Sequence, residues 1–261
     1  MLASTHARAP GASSEGEEIR DALVITCEHG GNRIPPAYRL LFRSVHDLVA
    51  SHRGFDAGAL VMARSLARAF SAPLAYGTVC RLLVDLNRSV GHRHLHFESV
   101  RKAPLAVREH ILERYYQPYR AEVERLIMQA VERRGRAIHI CSHSFTPELK
   151  GRRREADIGL LYDPSRPGEV ALCERWKTAL EACAPELVVR RNYPYSGKAD
   201  GVAAWFRARL PADAYVGIEL EINQKHVDAA NPQWAALRKA VINSLRIALA
   251  GEGRGVVRPD G

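Results

Sequence analysis

Two rhythms of hydrophobic and polar positions run along this chain. Short aliphatic and β-branched runs, each bounded by turn-forming residues, recur as ALVITC (22–27), PLAYG (73–77), CRLLVDL (80–86), AIHICSH (137–143), DIGLLYD (157–163), ELVVRRN (186–192) and AYVGIELEI (214–222). Runs of this length and composition predict strands, and those with little alternation predict strands buried on both faces. Between them lie stretches with apolar residues every three or four positions: AGALVMARSLARAF (57–70), a long region from about Pro104 to Arg134, Gly168 to Cys183, a short one from Gly201 to Ala208, and Pro232 to Leu249. That spacing predicts helices with one buried stripe. Pro118 should kink or divide the long one, since it removes a backbone donor and crowds the preceding turn.

Strands separated by helices predict an α/β fold: a single domain with a mostly parallel, mixed sheet flanked by helices. The domain should span residues 21–250. Residues 1–20, rich in Ala, Ser, Gly and Glu, are expected to be disordered, and residues 251–261, which carry no periodicity, to form a flexible tail. In open α/β sheets ligands collect beyond the carboxyl ends of the strands. Polar residues follow several of the predicted strands: Glu28 and His29, then Asp85, Asn87 and Arg88, then His143, Asp163, Asn192, and the pair Glu219 and Glu221. If the strands are parallel, these groups converge on one edge.

Composition narrows the setting without naming a reaction. No apolar run approaches the roughly 20 residues of a membrane helix, and the N-terminus lacks the apolar stretch of a secretion signal. The expectation is a cytoplasmic protein with no membrane partner. Five cysteines without a C-x-x-C spacing disfavour a disulfide framework and a thiolate metal cluster. The formal charge of +9 would suit a nucleic-acid partner, but Arg and Lys are scattered among Glu along the predicted helices, so none is expected. The densest cluster, KGRRRE (150–155), reads as a solvated loop.

His29 and His143 each end an apolar strand and precede small or turn-forming residues, which suits metal ligation. Two imidazoles with one carboxylate, and a position left for water, is the usual catalytic zinc set. Asp56, just before an amphipathic stretch, fits the third ligand and fits an ordinary helix N-cap equally well. Glu219 and Glu221 alternate on one strand face, so either could serve as the base, with Glu221 nearer the strand end. Asn87 and Arg88 form a natural anchor for a carboxylate, although an Asp-Arg pair at a strand end is also an ordinary salt bridge. The loop NYPYSGKADG, with Asn192 and Tyr195, suits a lid or substrate contact, or a rigid turn. His92, His94 and His96 read as an exposed loop.

Taken in order, CEHGGNRIP, HRGFDAGA, RLLVDLNRS, SHSFTP, DIGLLYDPSR, NYPYSGKADG and GIELEINQ resemble the N-formylglutamate amidohydrolase (N-formylglutamate deformylase) family, over about Val24 to Leu245. The resemblance implies a phosphorylase/hydrolase-like fold shared with zinc carboxypeptidases, and a zinc cofactor. It also implies a small-molecule N-acyl amino acid substrate and release of formate from an N-formyl amino acid. It supports His29 and His143 as metal ligands, Asn87 and Arg88 as carboxylate binders and Glu221 as base. Carboxypeptidase-type sites place a ligand carboxylate three residues after the first histidine. That position is Asn32 here, which leaves Asp56 to replace it. The alternative is a non-catalytic protein that binds small carboxylates on the same fold.

Overall fold

A computed structural model describes residues 22–227 and 232–251. The expected disordered segment 1–20 lies outside the described residues, and of the expected tail only Gly251 is described. The strands are β1 (Leu23–Cys27), β2 (Leu74–Tyr76), β3 (Ala137–Phe145), β4 (Glu148–Leu149), β5 (Arg152–Arg153), β6 (Ile158–Leu161), β7 (Val189–Arg191) and β8 (Tyr215–Asn223). The helices are α1 (His46–Ala50), α2 (Ala59–Phe70), α3 (Glu98–Arg101), α4 (Leu105–Ile111), α5 (Gln117–Arg134), α6 (Pro167–Cys183), α7 (Val202–Arg207) and α8 (Pro232–Ala250). Among the described residues no helix is long and apolar enough to cross a membrane.

Six strands form one sheet in the order β2-β1-β3-β8-β6-β7, while β4 and β5 make a separate small hairpin over the basic cluster. β1, β2, β3 and β8 are parallel; β6 pairs antiparallel with β8, and β7 follows β6. The sheet is therefore mixed, as the alternating elements predicted. β3 and β8 are buried at every position, which is why their sequences run largely apolar.

Both faces are covered. Met62 and Leu66 of α2, Trp176 and Leu180 of α6, and Leu237 and Val241 of α8 pack on one face. Val123 and Ile127 of α5 and Phe206 of α7 pack on the other. Each large side chain so buried contributes about 1.5–3 kcal/mol to folding. The sheet behaves as a central slab whose strand order fixes what its edge can display.

Two elements depart from the expectation. CRLLVDL is not a strand: Leu83 and Val84 donate backbone hydrogen bonds to the Cys80 carbonyl, folding the run into turns whose Leu82, Leu83, Val84 and Leu86 are buried. A short continuous apolar run has no periodicity to separate a strand from a buried turn. The turn has a consequence for Arg81 and Asp85. In a strand they would stand about 13 Å apart, whereas here Arg81 Nη2 lies 2.8 Å from Asp85 Oδ2. Pro118, expected to kink the long helix, sits in the first turn of α5, directly after a π-helical segment, Leu112–Tyr116, that takes up the irregularity.

Candidate active site

The site assembles at the carboxyl ends of β1, β3 and β8. Glu28 and His29 follow β1, His143 lies near the end of β3, and the parallel register sets Glu221 directly beside His143 and Glu219 beside Cys141. The side chains of His143, Glu219 and Glu221 share one face of the sheet because alternate residues on a strand project the same way. Asp56 arrives from the segment before α2, where its backbone N–H donates to the His29 carbonyl at 2.9 Å. Ser142 and Ser144 of β3 donate to the carbonyls of Ala59 and Ala57, which locks that segment against the sheet.

Asp56 Oδ2 lies 3.2 Å from His29 Nδ1 and 3.0 Å from His143 Nδ1. One donor atom from each of the three residues falls within 4.8 Å of the others, and all three side chains are buried. The residue before α2 that acts as its N-cap is Gly58, without a side-chain cap, so Asp56 is not a helix cap. Asn32 lies elsewhere, donating to the Val49 carbonyl. The structure therefore gathers Asp56, and not Asn32, with the two imidazoles.

The outer nitrogens of both rings meet further carboxylates that sequence reasoning had left without a role. His29 Nε2 donates to Asp85 Oδ1 at 2.7 Å, and His143 Nε2 lies at ion-pair distance, 3.1 Å, from Glu28 Oε2, without hydrogen-bond alignment. Carboxylates behind imidazoles fix ring orientation and tautomer, the usual support for histidines that ligate a metal. Tyr119 of α5 in turn donates to Glu28 Oε1 at 2.7 Å. Arg81, also unassigned from sequence, bridges Asp56 and Asp85.

This crowding shifts the acids in opposite directions. Burial alone would raise Glu28, but the adjoining His143 imidazole and the hydrogen bond from Tyr119 outweigh it and hold it at about 2. Burial likewise opposes ionisation of Asp56 and Asp85, yet His29 and His143 around Asp56, and Arg81 and His29 beside Asp85, keep both well below the usual carboxylate range. Burial would lower His143, and its contacts to Asp56 and Glu28 raise it well above the ordinary imidazole value instead. Glu221 goes the other way: burial pushes it up to about 8, the nearby His143 opposes, and Asp56 and Glu219 add to the rise. Glu219 is raised mainly by burial as well. Glu221 Oε2 is buried and has no hydrogen-bond partner.

A cleft of about 200 Å³ opens onto this group, lined among others by His29, Asp56, His143, Glu219 and Glu221. Asn87, Arg88 and Tyr195 line it too. Asn87 Oδ1 accepts the Val202 N–H at 2.7 Å, which leaves its amide NH₂ for another partner. Arg88 donates through Nη1 to the Asp200 carbonyl, and the Asp200 carboxylate accepts from Ser89, so the Asn192–Gly201 loop is pinned beside the anchor pair. Tyr195 OH meets Arg154 Nη1 at 3.1 Å.

Asp163 and Asn192 are not brought to the cleft. They follow β6 and β7, which run opposite to β8, so their strand ends point away from the edge that holds the imidazoles. Asn192, expected to bind substrate, is a loop organiser: its Oδ1 accepts the N–H groups of Tyr162 and Gly197, and its backbone takes a left-handed conformation (φ 49°). Asp163 Oδ1 accepts from Ser165. The expected convergence of the polar groups on one edge stops short of these two positions for that topological reason. Gly30 and Gly31 allow a close approach of backbone to backbone. A Cβ on Gly31 would sit 2.8 Å from the Thr78 carbonyl oxygen, and one on Gly30 2.9 Å from that of Gly77. Their bareness lets the backbone after β1 lie flat against the backbone after β2.

A mixed α/β fold with a buried imidazole-carboxylate-imidazole group at its parallel strand ends defines an α/β protein with a candidate divalent-metal centre. The family described as N-formylglutamate amidohydrolase matches residues 21–227, and the chain belongs to that family. No curated protein matches the chain significantly. Among solved structures, a gene product of Agrobacterium tumefaciens is 28% identical, covers 89% of this chain and 92% of its own, and superposes with a TM-score of 0.76. An N-formylglutamate amidohydrolase from Ralstonia eutropha JMP134 is 22% identical, covers 90% of this chain and 95% of its own, with a TM-score of 0.69, a likeness of fold.

Proposed function

We propose that this protein is a zinc-dependent amidohydrolase that cleaves the N-formyl, or N-acyl, amide of an acidic amino acid such as N-formyl-L-glutamate, releasing formate and the free amino acid. The observation that carries the reading is the convergence of His29, Asp56 and His143 on one point beside Glu221, a buried carboxyl with an unpartnered oxygen. The donors fit zinc: two imidazoles, each backed through its outer nitrogen by a carboxylate, and one carboxylate oxygen between them. Bound there, zinc would polarise the amide carbonyl and acidify water.

The chain's own groups do the rest. Arg88, with Nε and Nη2 uncommitted to Asp200, and the free NH₂ of Asn87 bind the substrate carboxylate and hold the scissile amide toward Glu221. Tyr195 contacts the substrate from the loop above. Glu221 Oε2 takes a proton from the attacking water while the water oxygen bonds to the formyl carbon. The carbon–nitrogen bond then breaks, and Glu221 returns that proton to the leaving nitrogen. Atoms balance as amide plus water giving formic acid plus amine, which leave as formate and the ammonium form. Glu219 lies one alternate position deeper on β8 and keeps the field around Glu221 negative, so that Glu221 holds a proton readily.

The test is formate release from N-formyl amino acids, compared with N-acetyl analogues, by protein assayed with zinc, after chelation and after zinc is restored. Release that disappears on chelation and returns with zinc supports the reading. Release indifferent to chelation rules out the metal. Failure on every N-formyl amino acid rules out the reaction.

A further inference from the structure

The Arg81 guanidinium is in direct contact with both Asp56 and Asp85. Its Nη1 donates to Asp56 Oδ1 at 3.2 Å, while Nη2 and Nε both donate to Asp85 Oδ2, at 2.8 and 3.2 Å. In each carboxylate it takes one oxygen and leaves the other. The remaining oxygen of Asp56 is the one that faces both imidazole Nδ1 atoms, and the remaining oxygen of Asp85 is the one that accepts from His29 Nε2. We infer that Arg81 is a positioning residue for the metal centre, a fork that presents a single oxygen of Asp56 to the cation and sets the His29 ring through Asp85. This rests on the proposed metal site and says how the chain shapes it.

The local fold supports the role. Arg81 and Asp85 belong to the turn that replaced the expected strand, and the Arg81 N–H donates to the Gly54 carbonyl at 3.0 Å, two residues from Asp56. The Asp85 Oδ1 atom also accepts the Asn87 N–H at 3.0 Å, so Asp85 is held from both sides. Arg81 thus ties the segment carrying Asp56 to the segment carrying Asp85. A planar guanidinium can hold two carboxylates at fixed angles; an ammonium is a point charge and cannot.

Charge and position make opposite predictions, which gives the test its edge. If Arg81 only supplied positive charge, removing it would strengthen binding of a divalent cation. If it positions donors, removing it weakens binding. Zinc and cobalt(II) affinities are measured by competition with a chromophoric chelator for the parent, Arg81→Met, Arg81→Lys and Arg88→Ala. The expected result is a loss of roughly 10- to 100-fold in zinc affinity for Arg81→Met, the scale for removing a group that orients a ligand. Arg81→Lys stays closer to Arg81→Met than to the parent, and the visible spectrum of the cobalt(II)-loaded protein changes in both. Arg88→Ala, which removes a cation from the same cleft but touches no donor, loses no zinc affinity.

Should Arg81→Met fail to fold, Asp85→Asn decides: it retains an oxygen for His29 Nε2 but loses the charge on which the fork rests, and zinc affinity falls. Parental or tighter zinc binding by the Arg81 or Asp85 variants, beside a parent that binds zinc, overturns the inference and leaves the metal site standing. A parent that binds no zinc overturns both.

Discussion

Replacing Glu221 with Gln keeps the size of the side chain and removes its ability to carry a proton, and the structure predicts two effects of opposite sign. The carboxyl is buried, one of its oxygens has no partner, and it is pushed from an ordinary 4.5 up to about 8. In the metal-free protein a raised acid stabilises the fold fully below its unfolded pKa, and that contribution is lost as pH rises through the folded one. At 1.36 kcal/mol for each unit, holding this position ionisable costs roughly 3 kcal/mol at pH 7 and about 5 kcal/mol well above pH 8. Glu221→Gln is free of that penalty, so the metal-free variant should melt several degrees above the parent at pH 8, and the two should converge near pH 4. Turnover should fall by about 10²- to 10⁴-fold, or about 3–5 kcal/mol of barrier, with zinc content unchanged. The assays are calorimetric melting of chelated protein across pH and formate release by zinc-loaded protein. A variant that keeps parental turnover, or that is less stable than the parent at pH 8, would refute the reasoning.

Other consequences are simpler to check. Arg88→Ala should raise KM for N-formyl amino acids by roughly 10- to 100-fold, the worth of a charged hydrogen bond, and leave the corresponding carboxamide substrates little affected; equal damage to both would make Arg88 structural. Glu28 is held at about 2, so the stability it contributes to metal-free protein is present above pH 4.5 and lost as pH falls toward 2. Glu28→Gln should therefore flatten the acid limb of the stability curve by about 3 kcal/mol, and an unchanged limb in acid titrations followed by circular dichroism would exclude that role. Gly31→Ala should destabilise by about 1–3 kcal/mol, because its Cβ meets the Thr78 backbone and not a movable side chain; denaturant melts showing parental stability would refute the close approach.

The sequence made the helices and most strands legible because their periodicity is physical: a stripe every three or four residues, or an unbroken buried run. It also made His29, His143, Asp56, Glu219, Glu221, Asn87 and Arg88 legible as candidates, and the cleft gathers all seven. Direction was not legible. Nothing in DIGLLYD or ELVVRRN states that β6 and β7 run against β8, so Asn192 was expected on the wrong side of the sheet. The support behind the imidazoles was hidden for a related reason. Glu28 and Asp85 were visible as acids after apolar runs, but their pairing with His143 and His29 depends on contacts 115 and 56 positions apart in the chain. Arg81 lay inside a run read as a strand, and only its folding into a turn brings it to Asp85. Short apolar runs carry too little pattern to reveal that.

The pairing of β1 with β3 makes the sheet a ruler for chemistry. Thr26 stands opposite Cys141, and from there each chain runs two or three residues to its imidazole, so the spacing of the two rings is set by the backbone lattice and not by the rings themselves. Sliding β1 by one residue would turn alternate side chains to the opposite surface and scatter the group. A partly folded chain with that seam unzipped therefore holds no donor set at all. An ion that recognises the group rewards only the finished pairing, so occupancy and correct strand register become one event.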